Sequence, residues 1–517
     1  MLLLLLLLLL LTLTYSNDIK SMFSYANNLY SKGLLSEAKE KYKEILIHEP
    51  NHSDANCNLG SVYLDLGDIK NAETFYRKAL INRDHSGALF NLASLLQDRN
   101  NLLQNKDEIN EARELYKRLL LLEPNSIDAL SNLGSLEHLS GNYIAAISSY
   151  NKSIDIILKS DDNNNNNDEL LSSLYEHYGR AVLRIAETEK ILINSCTTTN
   201  TTTTTTTTNN NNNNKVDNLM NEAQNLLNSS LHYNSKNSVA KHMLMSILAD
   251  KNNCNNNNND DENYQASDDY ITKLFDDFSI SFESSLEKLE YHAPSLLVKA
   301  IKELNQSTYS LLLDIGCGTG LAAVLIKECN DFNIMYSTGV DLSPKMLSIA
   351  ALKKVKEKKV YDSLYSGAMT TFIDYLALFR NNDDNINYKV IDNSKDVIDV
   401  EDGFDKNFIN RKLLQKYPIL GIAADVFVYV GDLDNVFTSL SKLKIDNHDI
   451  FAFTTEILSE DNTNKGFKLQ QNGRYSHKKS YLDNLIKKYN FSTVTYKPVV
   501  LRKELNNDVH GHLYIIK

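Results

Sequence analysis

The stretch LLLDIGCGTG, Leu311 to Gly320, places Gly316, Gly318 and Gly320 at every second position behind an apolar run that ends in Asp314. Glycines so spaced let a backbone pass close to a ligand in conformations a Cβ would forbid. A phosphate-binding P-loop needs Lys and then Ser or Thr after its last glycine, but Gly320 is followed by Leu321 and Ala322, which excludes it. A dinucleotide loop wants G-x-G-x-x-G, so that a pyrophosphate can rest on the helix N-terminus, whereas this one reads D-x-G-x-G-x-G. An acid ahead of the first glycine repels a pyrophosphate and suits a ligand that brings a cation.

S-Adenosylmethionine, with a sulfonium and an ammonium, is such a ligand. A second motif agrees. GVDLSPKML carries Asp341, 27 residues after Asp314. A carboxylate at the end of a second strand can accept both hydroxyls of a ribose. Cys317, between two glycines, reads as a small filler beside the ligand, neither nucleophile nor half of a disulfide.

These motifs need an α/β sheet to position them. Leu311 to Gly316 reads as a buried strand and Leu321 to Cys329 as the helix after it. Tyr336 to Ser343 forms a second strand, and Pro344 to Val355 a second helix with proline in its first turn. Ile419 to Val430 and Asp449 to Glu456 look like central strands, and Ser492 to Arg502 with Gly511 to Lys517 like an antiparallel terminal pair. Ligands of such sheets bind at the carboxyl ends of the strands, where the strand order reverses.

Methyl transfer needs an in-line nucleophile and a dry site, and a base only if the nucleophile arrives protonated. Asp425, Tyr429 and His477 are the catalytic candidates on the acceptor side, with Arg474 as a receiver of anionic substrates and His292 in a lid-like helix. Each has a plainer reading: Asp425 as a helix cap or cofactor contact, His477 as a surface loop residue, Arg474 as a solvated side chain.

The first half repeats. Gly33, Ala38 and Tyr42 recur as Gly67, Ala72 and Tyr76, each shifted by 34 residues; Ala112 and Tyr116 mark a third copy, and Gly141, Ala146 and Tyr150 a fourth. Small residues let paired helices approach, the tyrosine fills the gap to the next pair, and Pro50 and Pro124 stop the second helix of a pair. Stacked pairs form a solenoid whose groove suits a protein partner. A fifth pair is expected from 169 to 250, interrupted by a Thr/Asn tract over 196–215 too poor in apolar groups to fold. The histidines of this half, His48, His52, His85 and His138, read as solvated.

With 517 residues the chain exceeds a single core, and its formal net charge of -12 argues against a nucleic-acid partner. The 5 cysteines form no metal-binding or disulfide pattern, which favours reduced thiols in the cytoplasm; no metal site is expected. The leucine run Leu2 to Leu11 has the length of a signal-peptide core, which would route the chain to the secretory pathway. It lacks a basic start and a small-residue cleavage site, so it reads equally as a homopolymer tract, and it is too short for a stable membrane span.

DIGCGTG and GVDLSPKML, with Phe275 to Leu297, LYSGAMTTFI, Ala423 to Phe437 and Gly466 to Leu485, resemble class I S-adenosylmethionine-dependent methyltransferases. Together with the repeats they are similar to the predicted methyltransferases that carry N-terminal tetratricopeptide repeats, and more distantly to methyltransferase-like protein 27. The resemblance implies a cofactor site at Asp314, Gly316, Cys317, Gly318, Gly320, Asp341 and Leu342, with Ala368 and Met369 near the adenine. It implies methyl transfer to a small molecule or a protein; a non-catalytic scaffold and a nucleotide-dependent oxidoreductase are the alternatives. The expected architecture is multidomain: an all-α tetratricopeptide solenoid and an α/β Rossmann-like domain with a mostly parallel sheet and an antiparallel terminal strand. The expected divisions are a leader over 1–16, repeats over 20–156 and 169–250, a linker over 251–268, and the α/β domain over 270–517 with a polar insertion at about 381–412.

Overall fold

The computed structural model describes residues 18–103, 106–160, 167–197, 206–251, 265–279, 282–304, 306–381, 411–443, 448–460, 465–470, 472–504 and 507–517. The leader, most of the linker and nearly all of the polar insertion lie outside them. The chain divides into two compact units, Met1–Ser235 and Lys236–Lys517.

The first unit is built of helical hairpins: α1 (residues 18–31) with α2 (Leu35–His48), α3 (Ser53–Asp65) with α4 (Ile69–Ala79), α5 (Ser86–Leu103) with α6 (Lys106–Leu122), α7 (Ile127–Leu139) with α8 (Tyr143–Lys159), and α9 (Asp168–Thr197) with α10 (Thr206–Tyr233). The repeat spacing has a physical cause at each position. Gly67 ends α3 with φ +78°; its N–H donates to the Leu64 carbonyl while the next N–H, of Asp68, reaches Tyr63, closing the helix in a left-handed turn. Ala38, Ala72, Ala112 and Ala146 are fully buried where paired helices meet.

The tyrosines differ from expectation. A Cβ on Gly60 would come 2.7 Å from the Tyr76 ring, and one on Gly134 2.6 Å from Tyr150. Each ring therefore fills the space a glycine opens within its own hairpin. Three of the four histidines, His52, His85 and His138, also depart from the solvated reading, while His48 is exposed. The Nδ1 of His52 accepts the Ala55 N–H and that of His85 accepts the Ala88 N–H, so both cap helices. Burial pushes half-buried His138 down to about 3.

Part of the Thr/Asn tract is helical. Helix α10 begins at Thr206, so residues 206–215 depart from the expectation of no fold, while 198–205 lie outside the described residues. Propagating a helix costs far less than starting one, and the packed end of α10 supplies the nucleus.

The second unit begins earlier than the composition suggests, with α11 (Ser238–Lys251). The α/β elements follow: α12 (Asp268–Phe278), α13 (Phe282–Lys288), α14 (Ala293–Lys302), β1 (Thr308–Ile315), α15 (Leu321–Glu328), β2 (Asn333–Asp341), α16 (Pro344–Leu352), β3 (Lys354–Val355), β4 (Lys358–Lys359), β5 (Ser363–Ser366), α17 (Met369–Asn381), α18 (Arg411–Lys416), β6 (Ile419–Ala423), α19 (Asp434–Lys442), β7 (Ile450–Ile457), β8 (Phe467–Leu469), β9 (Tyr475–His477), α20 (Lys479–Lys488), β10 (Thr493–Glu504) and β11 (Asn507–Ile516).

The main sheet has the order β10-β11-β7-β6-β1-β2-β5. Pairings among β5, β2, β1, β6 and β7 are parallel, and β11 runs antiparallel to both β7 and β10. Both faces are covered, which is why β1 and β6 are apolar almost throughout: one face packs on Phe372, Phe437 and Leu482, the other on Leu297, Ala323 and Leu347. The order reverses between β1 and β6, so the cleft outside their carboxyl ends is where a ligand belongs.

Two elements are shorter than their apolar runs suggest. The second helix stops at Leu352, and Lys356 and Glu357, with φ of 49° and 65°, turn the chain into the β3–β4 hairpin. The strand expected to reach Val430 ends at Ala423, because Asp425 has φ +60° and Phe427–Tyr429 form a 3-10 turn. Among the described residues, no helix is long and apolar enough to cross a membrane, and no group of three His, Cys, Asp or Glu side chains is placed to hold a metal ion.

Candidate active site

The glycine loop joins β1 to α15 with Gly316, Gly318 and Gly320 at φ +60°, +53° and +91°. A Cβ on Gly316 would sit 2.6 Å from Val426, so the loop lies directly against the segment that follows β6. The Cys317 N–H donates to Val340 at 3.0 Å, tying the loop to β2. Its thiol is buried against Gly339, and burial raises its pKa far above the ordinary range, which suits a filler and not a nucleophile.

Asp341 ends β2. One carboxylate oxygen accepts the Gly318 N–H at 2.8 Å and the other the Ser343 N–H at 2.9 Å, so the group is fixed between the glycine loop and the start of α16. Ser343 in turn donates to Asp276 of α12 at 2.6 Å. Leu342 is half-buried beside it. The Gly367 N–H donates to the Asp341 carbonyl at 2.9 Å, which brings the end of β5, half-buried Ala368 and Met369 to the same edge.

Asp314 is placed differently from the sequence expectation. It is 1% exposed, accepts the Tyr361 hydroxyl at 2.6 Å and is bonded to the backbone of Ala323. Its carboxylate therefore holds the loop and the first turn of α15 instead of facing a cationic ligand. Burial pushes its pKa up to about 7, the Tyr361 hydroxyl opposing and the Asp341 charge adding. Tyr361, missed in the sequence, stands 47 residues away, beyond any local pattern.

On the other side of the loop, Asp425 holds its left-handed backbone because its N–H donates to the Thr454 hydroxyl at 2.8 Å. Its Oδ2 pairs with Arg502 at 2.7 Å, and its Oδ1 is buried without a hydrogen-bond partner. Arg502, 1% exposed, also binds Glu456 and, at 2.8 Å, Glu504. Arg474, read either as a receiver of anionic substrates or as solvated, is part-buried and pairs with Glu504. The β10–β11 register shifts between Val500 and Arg502, a bulge of the kind that re-aims a side chain. Glu456, Glu504 and Arg502 carry no signal in the sequence, since apart from the Arg502–Glu504 pair on β10 their partners lie on other elements.

Tyr429, in the 3-10 turn, is edge-on to Phe275 of α12, with centroids 5.0 Å apart, and Phe275 meets Phe282 of α13 at 6.1 Å. Phe282 in turn would stand 3.5 Å from a Cβ on Gly318. An aromatic row thus runs from the glycine loop to the turn after Asp425. His292 is not part of it. It is exposed at the N-cap of α14, and its N–H is pinned to the Leu501 carbonyl at 2.8 Å.

His477 is a correction to the catalytic set. Its ring is fully buried, with Nε2 2.9 Å from the Gly431 carbonyl and Nδ1 2.6 Å from the Thr455 hydroxyl. The carbonyl only accepts, so Nε2 donates and Nδ1 accepts; neither nitrogen is left for a substrate. Burial pushes its pKa down to about 4. In the unfolded chain the ring binds a proton near 6.5, so the stability from keeping it neutral is full above about 6.5 and is lost as pH falls toward 4. The size is about 3 kcal/mol. His477→Gln is expected to flatten the stability profile across that window, as followed by thermal unfolding at successive pH values.

Comparisons with known proteins agree with both halves. Residues 53–80 match the family model of the tetratricopeptide repeat, and residues 313–375 that of a methyltransferase domain, from β1 through the glycine loop and Asp341 into α17. Similar solved structures include MamA (20% identity, 41% of this chain and 95% of that one, TM-score 0.29). Others are YrrB, a tetratricopeptide protein with an unusual peptide-binding site (15%, 43% and 89%, 0.31), and pilF of Pseudomonas aeruginosa (15%, 53% and 98%, 0.33). No curated protein matches the chain. The fold class is therefore an N-terminal helical tetratricopeptide region and a C-terminal, mostly parallel α/β methyltransferase domain.

Proposed function

We propose that this chain transfers a methyl group from S-adenosylmethionine to an acceptor, a small molecule in preference to a protein, and that its repeats bind a protein partner. The observation that carries this reading is Asp341, whose carboxylate stands fixed beside the glycine loop where the strand order reverses. The matched methyltransferase domain covers these residues and supports it. So does the sequence resemblance to methyltransferases with tetratricopeptide repeats.

The residues present fit the cofactor. The Asp341 carboxylate accepts the Gly318 and Ser343 N–H groups and is bonded to the Leu342 backbone, with lone-pair capacity left for the ribose. Gly316, Gly318 and Gly320 hold the loop in left-handed turns against which the methionine portion would lie, and Leu342, Ala368 and Met369 supply apolar surface for the adenine. When bound, S-adenosylmethionine supplies a methyl made electrophilic by its sulfonium. Phe275, Phe282 and Tyr429 would line the side where the acceptor arrives, and Asp425 Oδ1, buried without a partner, would take its proton.

Calorimetry on the full chain tests the reading: S-adenosylmethionine is expected to bind and NAD not to. Binding of NAD alone would establish the oxidoreductase alternative, and binding of neither the scaffold. Cys317→Ala is expected to keep cofactor affinity and methyl transfer, at a stability cost of about 1 kcal/mol for the small cavity. An inactive variant that still bound cofactor would overturn the filler role.

A further inference from the structure

We propose, resting on the methyl-transfer reading, that the nucleophile this site accepts is an alkyl amine, carried by a small molecule or by a lysine side chain. Two independent features point there. The first is charge. Asp425, Glu456 and Glu504 face Arg474 and Arg502, so with all five groups ionised the network is one negative charge in excess. The guanidinium contacts are directed at those carboxylates, while Asp425 Oδ1 is buried and unpartnered. An ionised carboxylate is acceptor-only, so an anionic acceptor brought to Asp425 Oδ1 would meet like charge, whereas an ammonium brings both the missing charge and the missing N–H.

The second feature is the aromatic row. Phe282 lies against Gly318, Phe275 is edge-on to Phe282 and to Tyr429, and Tyr429 follows Asp425 in the same short segment. Ring faces attract alkylammonium groups and their methylene stems, and add most where water is excluded. Val426 packs on Gly316, so a group held by Asp425 stands next to the loop assigned to the cofactor.

The step balances. The ammonium gives one proton to Asp425 Oδ1, which frees the nitrogen lone pair. That pair forms the N–C bond to the methyl as the C–S bond breaks with its electrons passing to sulfur, and the positive charge ends on the methylated nitrogen. Asp425 then returns its proton to solvent. Arg502 is a positioning residue, acting through Asp425.

Saturation-transfer NMR on the full chain with S-adenosylhomocysteine present tests this, using n-hexylamine, n-hexanol and n-hexanoate as probes. The amine is expected to bind and hexanoate not to. Asp425→Asn should weaken the amine about 10-fold while S-adenosylhomocysteine affinity holds, and Phe275→Leu should weaken it without any change of charge. Hexanoate binding as well as the amine, or an Asp425→Asn variant that binds it unchanged, overturns the proposal. Failure of S-adenosylhomocysteine itself to bind overturns the methyl-transfer reading, and this proposal with it. A second arm uses extract with methyl-labelled cofactor. Base-stable label on nitrogen supports the amine, its appearance in the small-molecule or the protein fraction identifying the carrier, and label released by base as methanol overturns it.

Discussion

Asp341→Ala is expected to weaken S-adenosylmethionine binding by about 100-fold or more and to abolish labelling of any acceptor at ordinary cofactor concentrations. The loss has two sources. A bidentate contact from a carboxylate to two ribose hydroxyls consists of charge-assisted hydrogen bonds, each worth about 1.5–3 kcal/mol, so losing even one of them approaches the 100-fold figure. The same carboxylate also accepts the Gly318 and Ser343 N–H groups, so the variant leaves two backbone donors without their partner and loosens the loop the cofactor lies against. Asp341→Asn separates the two. Its amide oxygen can still accept one of those N–H groups but carries no charge, so its affinity should fall between wild type and alanine. Calorimetry reads all three; equal affinity for wild type and Asp341→Ala would remove Asp341 from the cofactor site.

The parts of this site that are legible in the sequence are those whose function depends on local backbone geometry. Gly316, Gly318 and Gly320 each take a positive φ, and Asp341 reaches a loop only one helix away. The repeats are legible for the same reason, since Gly33, Gly67 and Gly141 occupy closely similar left-handed turns, the first two 34 residues apart and the third displaced by the insertion before the third copy. What is not legible is set by tertiary pairing. Asp314 looks like a ligand contact until Tyr361 is brought to it by β5. His477, in the polar string GRYSH, resembles a surface histidine because nothing nearby shows that β9 pairs with the end of β7 and buries it. Asp425 sits inside an apolar run that reads as uninterrupted strand, and only the Thr454 hydroxyl of the adjacent strand explains why the backbone turns there. The same blindness to long-range partners hid Arg502, two of whose three carboxylate partners lie 77 and 46 residues away.

Arg502→Ala is expected to destabilise the second unit by about 3–5 kcal/mol, the usual result of removing one side of a buried ion network and leaving its partners uncompensated. For a domain of this size that lowers the unfolding midpoint by about 10 °C. The guanidinium is 1% exposed and holds Asp425, Glu456 and Glu504 together, so three carboxylates would be left to Arg474. The pH dependence identifies the mechanism. Burial alone would raise Glu504, but Arg474 and Arg502 outweigh it and hold its carboxyl at about 2, below the ordinary 4.5. A depressed carboxyl contributes stability that is present above about 4.5 and is lost as pH falls through about 2. The variant forfeits part of that contribution, so its deficit against wild type should be largest near neutrality and narrow in acid, where the carboxylates take up protons. Thermal unfolding of both proteins at pH values on either side of that window measures it. A deficit independent of pH would mean that Arg502 acts by packing its aliphatic stem. A deficit that narrows would assign it to charge, and methyl transfer should then fall even at temperatures where the variant is folded, because Asp425 has lost the partner that orients it.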